Sequence, residues 1–161
     1  GSEMCIRDRC SASVHDVAAY LLRYFNHPIT TMKLQKLAFF SQGWSLGLID
    51  EPLFPEKFQA WRHGPVCYEL YDRHRGQYFI SDWEGNPDKL GEYQKRLIDG
   101  VLQNYGALSG SDLSELTHEQ GTPWARTRSK NGLQDGAWAD AVIDNDMIQR
   151  YFNQQLLNQN T

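Results

Sequence analysis

A handful of residues have the side chains and spacing that chemistry would require. Cys67 follows Gly64-Pro65-Val66, a corner that would open a helix. In the first turn of a helix its thiol would ionise more readily and, with a distant His, could act as a nucleophile. His118-Glu119 begins a zinc-binding H-E-x-x-H pattern, but position 122 is Thr122, so the second helical ligand is absent. A dispersed site using His63, His118 and Glu119 remains open on residue types alone. Tyr71-Asp-Arg73-His-Arg75-Gly-Gln-Tyr78 interleaves basic and aromatic residues, as a phosphate- and base-contacting patch does. A solvated helix end with its Arg residues near the C-terminal dipole explains the same pattern. No phosphate-cradling glycine loop, dinucleotide fingerprint or nucleophile elbow occurs. No metal or cofactor is therefore expected.

Aromatic content is the stronger signal. The chain holds 5 Trp and 8 Tyr, residues that combine large apolar area with a polar handle and anchor protein interfaces. Trp44 is expected in the core, and Trp83, in a loop over 82–88, is the expected exposed anchor.

These residues need elements to position them. Ser13 with Asp16 reads as a capping box, followed by Val14, Val17, Ala18, Leu21, Leu22 and Phe25 on one helical face. Asn26-His27-Pro28 ends that helix. Thr30 or Thr31 starts a second, from Met32 to about Leu48, apolar on most sides and so central to the core. Phe58–His63 alternates as a short strand, and Tyr78–Ile80 is a second that would pair with it. Pro65 is expected to start a helix from Val66 to about His74. Pro87 starts another, whose buried line is Leu90, Tyr93, Leu97 and Val101. Ser109 to Asp112 cap a helix over 113–118, and Trp124–Ser129 add a turn. Asn131-Gly132 and Asp135-Gly136 are turns. Asp140 or Asp144 begins the last helix, with Val142, Ile143, Ile148, Tyr151, Phe152 and Leu156 apolar. The fold class is mainly α: a single compact helical domain with a small two- or three-stranded β element.

Composition narrows the function classes. The 161 residues carry 16 basic and 20 acidic side chains, net −4, and 40% are hydrophobic. That excludes a disordered chain and disfavours nucleic-acid binding, which needs a basic excess. The longest uncharged apolar stretch, Leu37–Ile49, is shorter than the roughly 20 residues of a membrane span. Residues 1–80 hold 9 basic and 8 acidic groups and residues 81–161 hold 7 and 12. The acidic C-terminal half includes Asp135, Asp140, Asp144 and Asp146, and reads as solvated helix surface. Cys5, Cys10 and Cys67 provide no disulfide framework, which fits a reducing cytoplasm. Gly1-Ser2 resembles a tag scar, and residues 1–12 are expected to be a tag scar or non-native leader, leaving 13–158 as the domain.

Three ordered blocks resemble a known family. They are Lys33-Leu-Gln-Lys-Leu-Ala-Phe-Phe-Ser-Gln-Gly-Trp44, then Glu51-Pro-Leu-Phe54 with Ala60-Trp-Arg-His-Gly-Pro-Val66, then Leu113-Ser-Glu-Leu-Thr-His118 with Gly121-Thr-Pro-Trp124. The chain is similar over about 13–130 to the Panacea domain family, the SocA-like antitoxins, also known as GepA-like phage-associated proteins. The third block departs from the family pattern in the order Glu119-Gln120-Gly121-Thr122 before Pro123. The resemblance implies a helical antitoxin that binds a cognate protein toxin encoded by the neighbouring gene. It also implies the related alternative of a proteolytic adaptor that delivers a toxin to a protease. The expected partner surface comprises Trp61, His63, Tyr68, Tyr71, Trp83, Thr117, His118, Glu119, Trp124 and Arg128. From a different class, a metal- or thiol-dependent hydrolase using Cys67, His63 and His118 is the alternative. The expectation is a cytoplasmic binding protein and not an enzyme.

Overall fold

Ser13 caps the first helix as its spacing predicts. In the computed structural model, which describes residues 11–133 and 140–159, α1 runs over Val14–Arg23 with the Ser13–Asp16 capping box formed. Ala12 is already buried in the core, one residue ahead of the expected boundary. Residues 1–10, the Asp135-Gly136 pair and Trp138 lie outside the described residues.

Helix α2, Thr31–Ile49, is the centre of the domain. The Thr30 hydroxyl accepts from the Lys33 amide at 3.1 Å and starts it. Its interior residues are buried on nearly every side, as a helix without a polar face must be. Around it pack α1, α4 (Glu92–Tyr105), α5 (Gly110–His118) and α7 (Asn145–Gln159). The closest approach is with α7, where α2 presents Gly43 and Gly47. A Cβ on Gly43 would enter the Phe152 ring, and one on Gly47 would lie 2.9 Å from the Phe152 carbonyl carbon. Phe152 sits among the rings of Phe39, Phe40 and Trp44. Trp44 is only partly buried, and its indole donates to the Tyr105 hydroxyl at 3.0 Å.

Two small sheets lie against these helices. The first pairs β1 (Ile29–Thr30) with β4 (Phe79–Ile80). The expected pairing of Tyr78–Ile80 with Phe58–His63 is therefore corrected: that segment extends the strand leading into α2. The second sheet has order β3-β2-β5, with β2 at Phe58–Trp61, β3 at Gly64–Cys67 and β5 at Val142–Ile143. Pro65 opens no helix. It pairs with Ala60 across a hairpin, on an edge strand where its missing N–H leaves no central ladder bond unmade. Helix α3 accordingly starts only at Tyr68 and ends at His74.

Val142 and Ile143 likewise belong to a strand rather than to the last helix, with Ile143 opposite Phe58. Pro87–Lys89 forms a single 3-10 turn, and Tyr93 in α4 is exposed. Helix α6 spans Pro123–Lys130, capped by the Thr122 hydroxyl, which accepts from the Ala125 amide at 3.2 Å. Among the described residues no helix is long and apolar enough to cross a membrane. The architecture is mainly α, with seven helices among the described residues and two small antiparallel sheets.

Candidate partner-binding site

The β2–β3 hairpin turns through Arg62 and His63, since Trp61 pairs with Gly64. Gly64 has φ +117°, a conformation that costs a side-chain-bearing residue energy. The hairpin is held by side chains from three other elements, most of them donating to its backbone carbonyls. Arg128 on α6 donates to the Ala60 carbonyl at 2.8 Å, and the Trp124 indole to the Trp61 carbonyl at 2.6 Å. On α5, Ser114 donates to the His63 carbonyl at 2.7 Å, and His118 Nε2 lies 3.3 Å from the Arg62 carbonyl. From α2, Lys36 donates to the Pro65 carbonyl at 3.1 Å, while Gln35 brackets Cys67, accepting from its amide and donating to its carbonyl. Arg128 also sits 5.2 Å from the Trp124 ring centre, adding a cation–π contact.

This clamp separates the expected site residues into two groups. Thr117, Trp124 and Arg128 are buried and serve the hairpin from below. The Thr117 hydroxyl donates to the Ser114 carbonyl at 2.6 Å. His118 is half-buried, tilted against the Trp124 ring at 3.9 Å and anchored to Ser114. Glu119 is exposed at the C-terminal end of α5 and lines a cleft with His63, His118 and Glu115. His63 itself is exposed at the turn.

The other group forms a chain of rings across one face. Trp61 meets Tyr71 edge-on at 4.8 Å, Tyr71 meets Tyr68 and His74, and His74 meets Trp83 at 6.3 Å. Trp83 is not the exposed anchor expected of it. It is partly buried, donates to His15 Nδ1 at 3.2 Å and lies under the Arg73 guanidinium. The large exposed apolar side chains on this side are Tyr68, Tyr78, Phe79 and Met32, at 44%, 71%, 60% and 37% exposure. The Thr31 amide donates to the Tyr78 carbonyl at 2.9 Å, which sets the Tyr78–Phe79 strand beside the start of α2.

A pocket of about 350 Å³ opens between α2, the hairpin and α3. Its lining includes Gln35, Lys36, Trp61, His63, Tyr71 and His74. Lys36 is 2% exposed, and burial pushes its ammonium down to about 7. Burial also lowers His74, and the nearby Lys36 charge lowers it further. His74 Nε2 is 3.0 Å from the Gln35 amide nitrogen, so the neutral ring accepts there. Lys36, Gln35, Met32, Arg62 and His74 were not among the expected site residues. One sequence signal for Lys36 was available: a helix apolar on nearly every side leaves a lysine at its centre no water to reach.

Neither catalytic arrangement weighed from residue types gains support from the geometry. The Cys67 thiol is buried, and that burial raises it to about 12, opposite to the activation expected in a helical first turn. Among the described residues no three His, Cys, Asp or Glu side chains gather as metal ligands.

The site thus consists of a clamped hairpin beside exposed aromatics on a mainly helical domain. The family model "Antitoxin SocA-like, Panacea domain" matches residues 34–125. That is more than half of the chain, and the chain belongs to this family. The matched span holds α2 from Leu34, the hairpin, α5 and Trp124, but leaves Arg128, β5 and α7 outside. Antitoxin SocA of Caulobacter vibrioides (strain NA1000 / CB15N) is 30% identical over 111 residues, covering 60% of this chain and 58% of that protein. The chain thus spans a little over half the length of this relative. No solved structure matches.

Proposed function

We propose that the chain is an antitoxin that neutralises a protein toxin encoded by the neighbouring gene through direct, stoichiometric binding, without turnover. Family membership supports the antitoxin role. The observation that carries direct binding is the exposed apolar group Met32, Tyr68, Tyr78 and Phe79, set beside a hairpin whose backbone is held from three sides. Exposed aromatic surface next to a rigid element is what a hot-spot interface requires. In this reading Trp61, His63, Tyr68 and Tyr71 face the toxin, with Trp83 at the edge of the same ring chain. Glu119 borders the face, and Thr117, His118, Trp124 and Arg128 hold its shape. The free thiol of Cys67 suits the reducing cytoplasm in which this reading places the complex.

The test is to express the neighbouring gene alone and then together with this one. Toxicity relieved by co-expression, with a complex isolable from the cells, is the expected result. A harmless neighbour, or toxicity that persists, refutes the reading. Tyr78→Ala with Phe79→Ala should weaken the complex at least about tenfold while the melting temperature holds. Unchanged affinity removes the β4 edge from the interface.

A further inference from the structure

An ammonium buried without a carboxylate partner is uncommon in protein interiors, because an unpaired ion gives up its hydration for nothing. Lys36 is in that position. Its ammonium has three donors and uses one of them on the Pro65 carbonyl. Among the described residues the ion pair within 4 Å is Arg75–Asp72, on the surface. The pocket that Lys36 lines is basic throughout: its other charged or imidazole side chains are Arg62, His63 and His74. No Asp or Glu lines it, in a chain whose formal net charge is −4. The remaining wall is mostly aromatic and aliphatic, from Trp61, Tyr71, Met32 and Val66, with Thr31 and Gln35 its neutral polar members. A volume of about 350 Å³ stands at the small end of ligand sites.

We propose that this pocket receives an acidic side chain of the protein partner, its methylene stem against Trp61 and Tyr71 and its carboxylate on Lys36. The chemistry rests on the pocket itself, and the partner's identity rests on the antitoxin reading above. Charge complementarity selects the occupant, since a carboxylate supplies the countercharge that the interior lacks and accepts the unused ammonium donors. A neutral apolar side chain would leave the ammonium as it is. Arg62 and His63 at the turn place two further basic groups at the mouth, where they attract an acid as it enters.

Binding is coupled to proton uptake. Lys36 is lowered to about 7 in the free protein, so an arriving carboxylate favours the ammonium and draws a proton onto it. Of the groups around Lys36, α3 contributes His74, whose own titration is depressed by Lys36. The hairpin contributes Arg62 and His63. Helix α5 contributes the neutral Thr117 near Gly64, while its Glu115, His118 and Glu119 line the neighbouring cleft.

The probe is 3-phenylpropionate, with 3-phenylpropionamide as the neutral control, titrated into the whole chain carrying ¹³C-labelled lysine. Lys36→Met assigns the resonance. The carboxylate should bind in the millimolar range and raise the Lys36 titration midpoint by about one unit or more, while the amide should do neither. A carboxylate that moves nothing at Lys36, or an amide that acts equally, overturns the proposal. Low-micromolar binding of the free acid overturns the protein-side-chain assignment in favour of a small-molecule site. In the co-expression system, Lys36→Met should weaken the toxin complex at least about tenfold. Undiminished affinity for Lys36→Met, alongside toxicity relief by the wild-type chain, defeats the anchor and leaves the antitoxin reading intact. Failure of the wild-type chain to relieve toxicity defeats that reading, and the probe titration still judges the pocket. If Lys36→Met fails to fold, the wild-type titration decides alone.

Discussion

Gly47→Ala gives a direct measure of how tightly α7 closes on α2. An alanine Cβ at this position would lie 2.6 Å from Phe152 Cβ, 2.9 Å from the Phe152 carbonyl carbon and 3.0 Å from the Asn153 amide nitrogen. Carbon atoms prefer to sit about 3.5–4.0 Å apart. Two of the three atoms are backbone, so no rotamer change relieves the clash, and α7 itself must retreat by roughly 1 Å. Phe152, 1% exposed among Phe39, Phe40 and Trp44, then loses contacts on that side. Overpacking of this kind costs about 1–3 kcal/mol, and replacing glycine inside a helix returns about 1 kcal/mol. The expected net loss is about 0–2 kcal/mol, a fall of up to roughly 8 °C in Tm for a chain of this size.

Gly100 in α4 is the matched control, because a Cβ there meets nothing within 4 Å. Gly100→Ala should gain about 0.4–1 kcal/mol and raise Tm by roughly 1–4 °C. Thermal and urea unfolding of the two variants beside the wild type make the assay. A Gly47→Ala protein stabilised as much as Gly100→Ala would refute the close helix contact. Gly43 extends the same test: a Cβ there meets Phe152 ring atoms at 2.5 and 2.6 Å, so Gly43→Ala should cost less in a Phe152→Leu background.

Three further outcomes are expected. Arg128→Ala removes the donor to the Ala60 carbonyl and the cation over Trp124, and should cost about 2–3 kcal/mol in urea unfolding; a loss below about 0.5 kcal/mol would show that the clamp does not hold the hairpin. Lys36, at about 7 in the fold against about 10.4 unfolded, binds fewer protons folded than unfolded between those values. It therefore lowers stability below pH 7 and relieves that loss as pH rises, at up to about 1.4 kcal/mol per unit. Lys36→Met should be the more stable protein at pH 7 and should lack this rise toward pH 10; parallel pH curves would contradict the buried charge. Cys67, raised to about 12 by burial, should resist thiol reagents at pH 8 in a Cys5→Ser, Cys10→Ser background until the chain unfolds; rapid labelling of the folded protein would contradict it.

The helix boundaries that announce themselves locally were legible. Ser13, Thr30 and Ser109 cap α1, α2 and α5 because each side chain bonds an amide within three residues, and that needs no tertiary information. What failed was set by distant partners. Gly64-Pro65-Val66-Cys67 satisfies a helix-start pattern locally and becomes a strand because β2 lies ready to pair with it. Val142 and Ile143 fit the apolar rhythm of α7 and are drawn away to pair with Gln59 and Phe58. Trp83 sits in a polar loop that suggests exposure, yet His15, far away in the chain, takes its indole. The pocket was least visible of all: the apolar surround of α2 marks Lys36 as enclosed, but the wall that the distant hairpin lays over it has no local signal.

The clamp has one more property. Arg128, Trp124, His118 and Ser114 all address carbonyl oxygens of residues 60–63, and every amino acid carries that same oxygen. The support is therefore blind to the identities of the two turn residues, Arg62 and His63. Descendants of this chain can exchange those side chains, and with them the charge and shape shown to a partner, without breaking an internal bond. Mutations that reshape the turn and mutations that unfold the protein thus fall on different residues, so the turn can drift while the scaffold stays fixed.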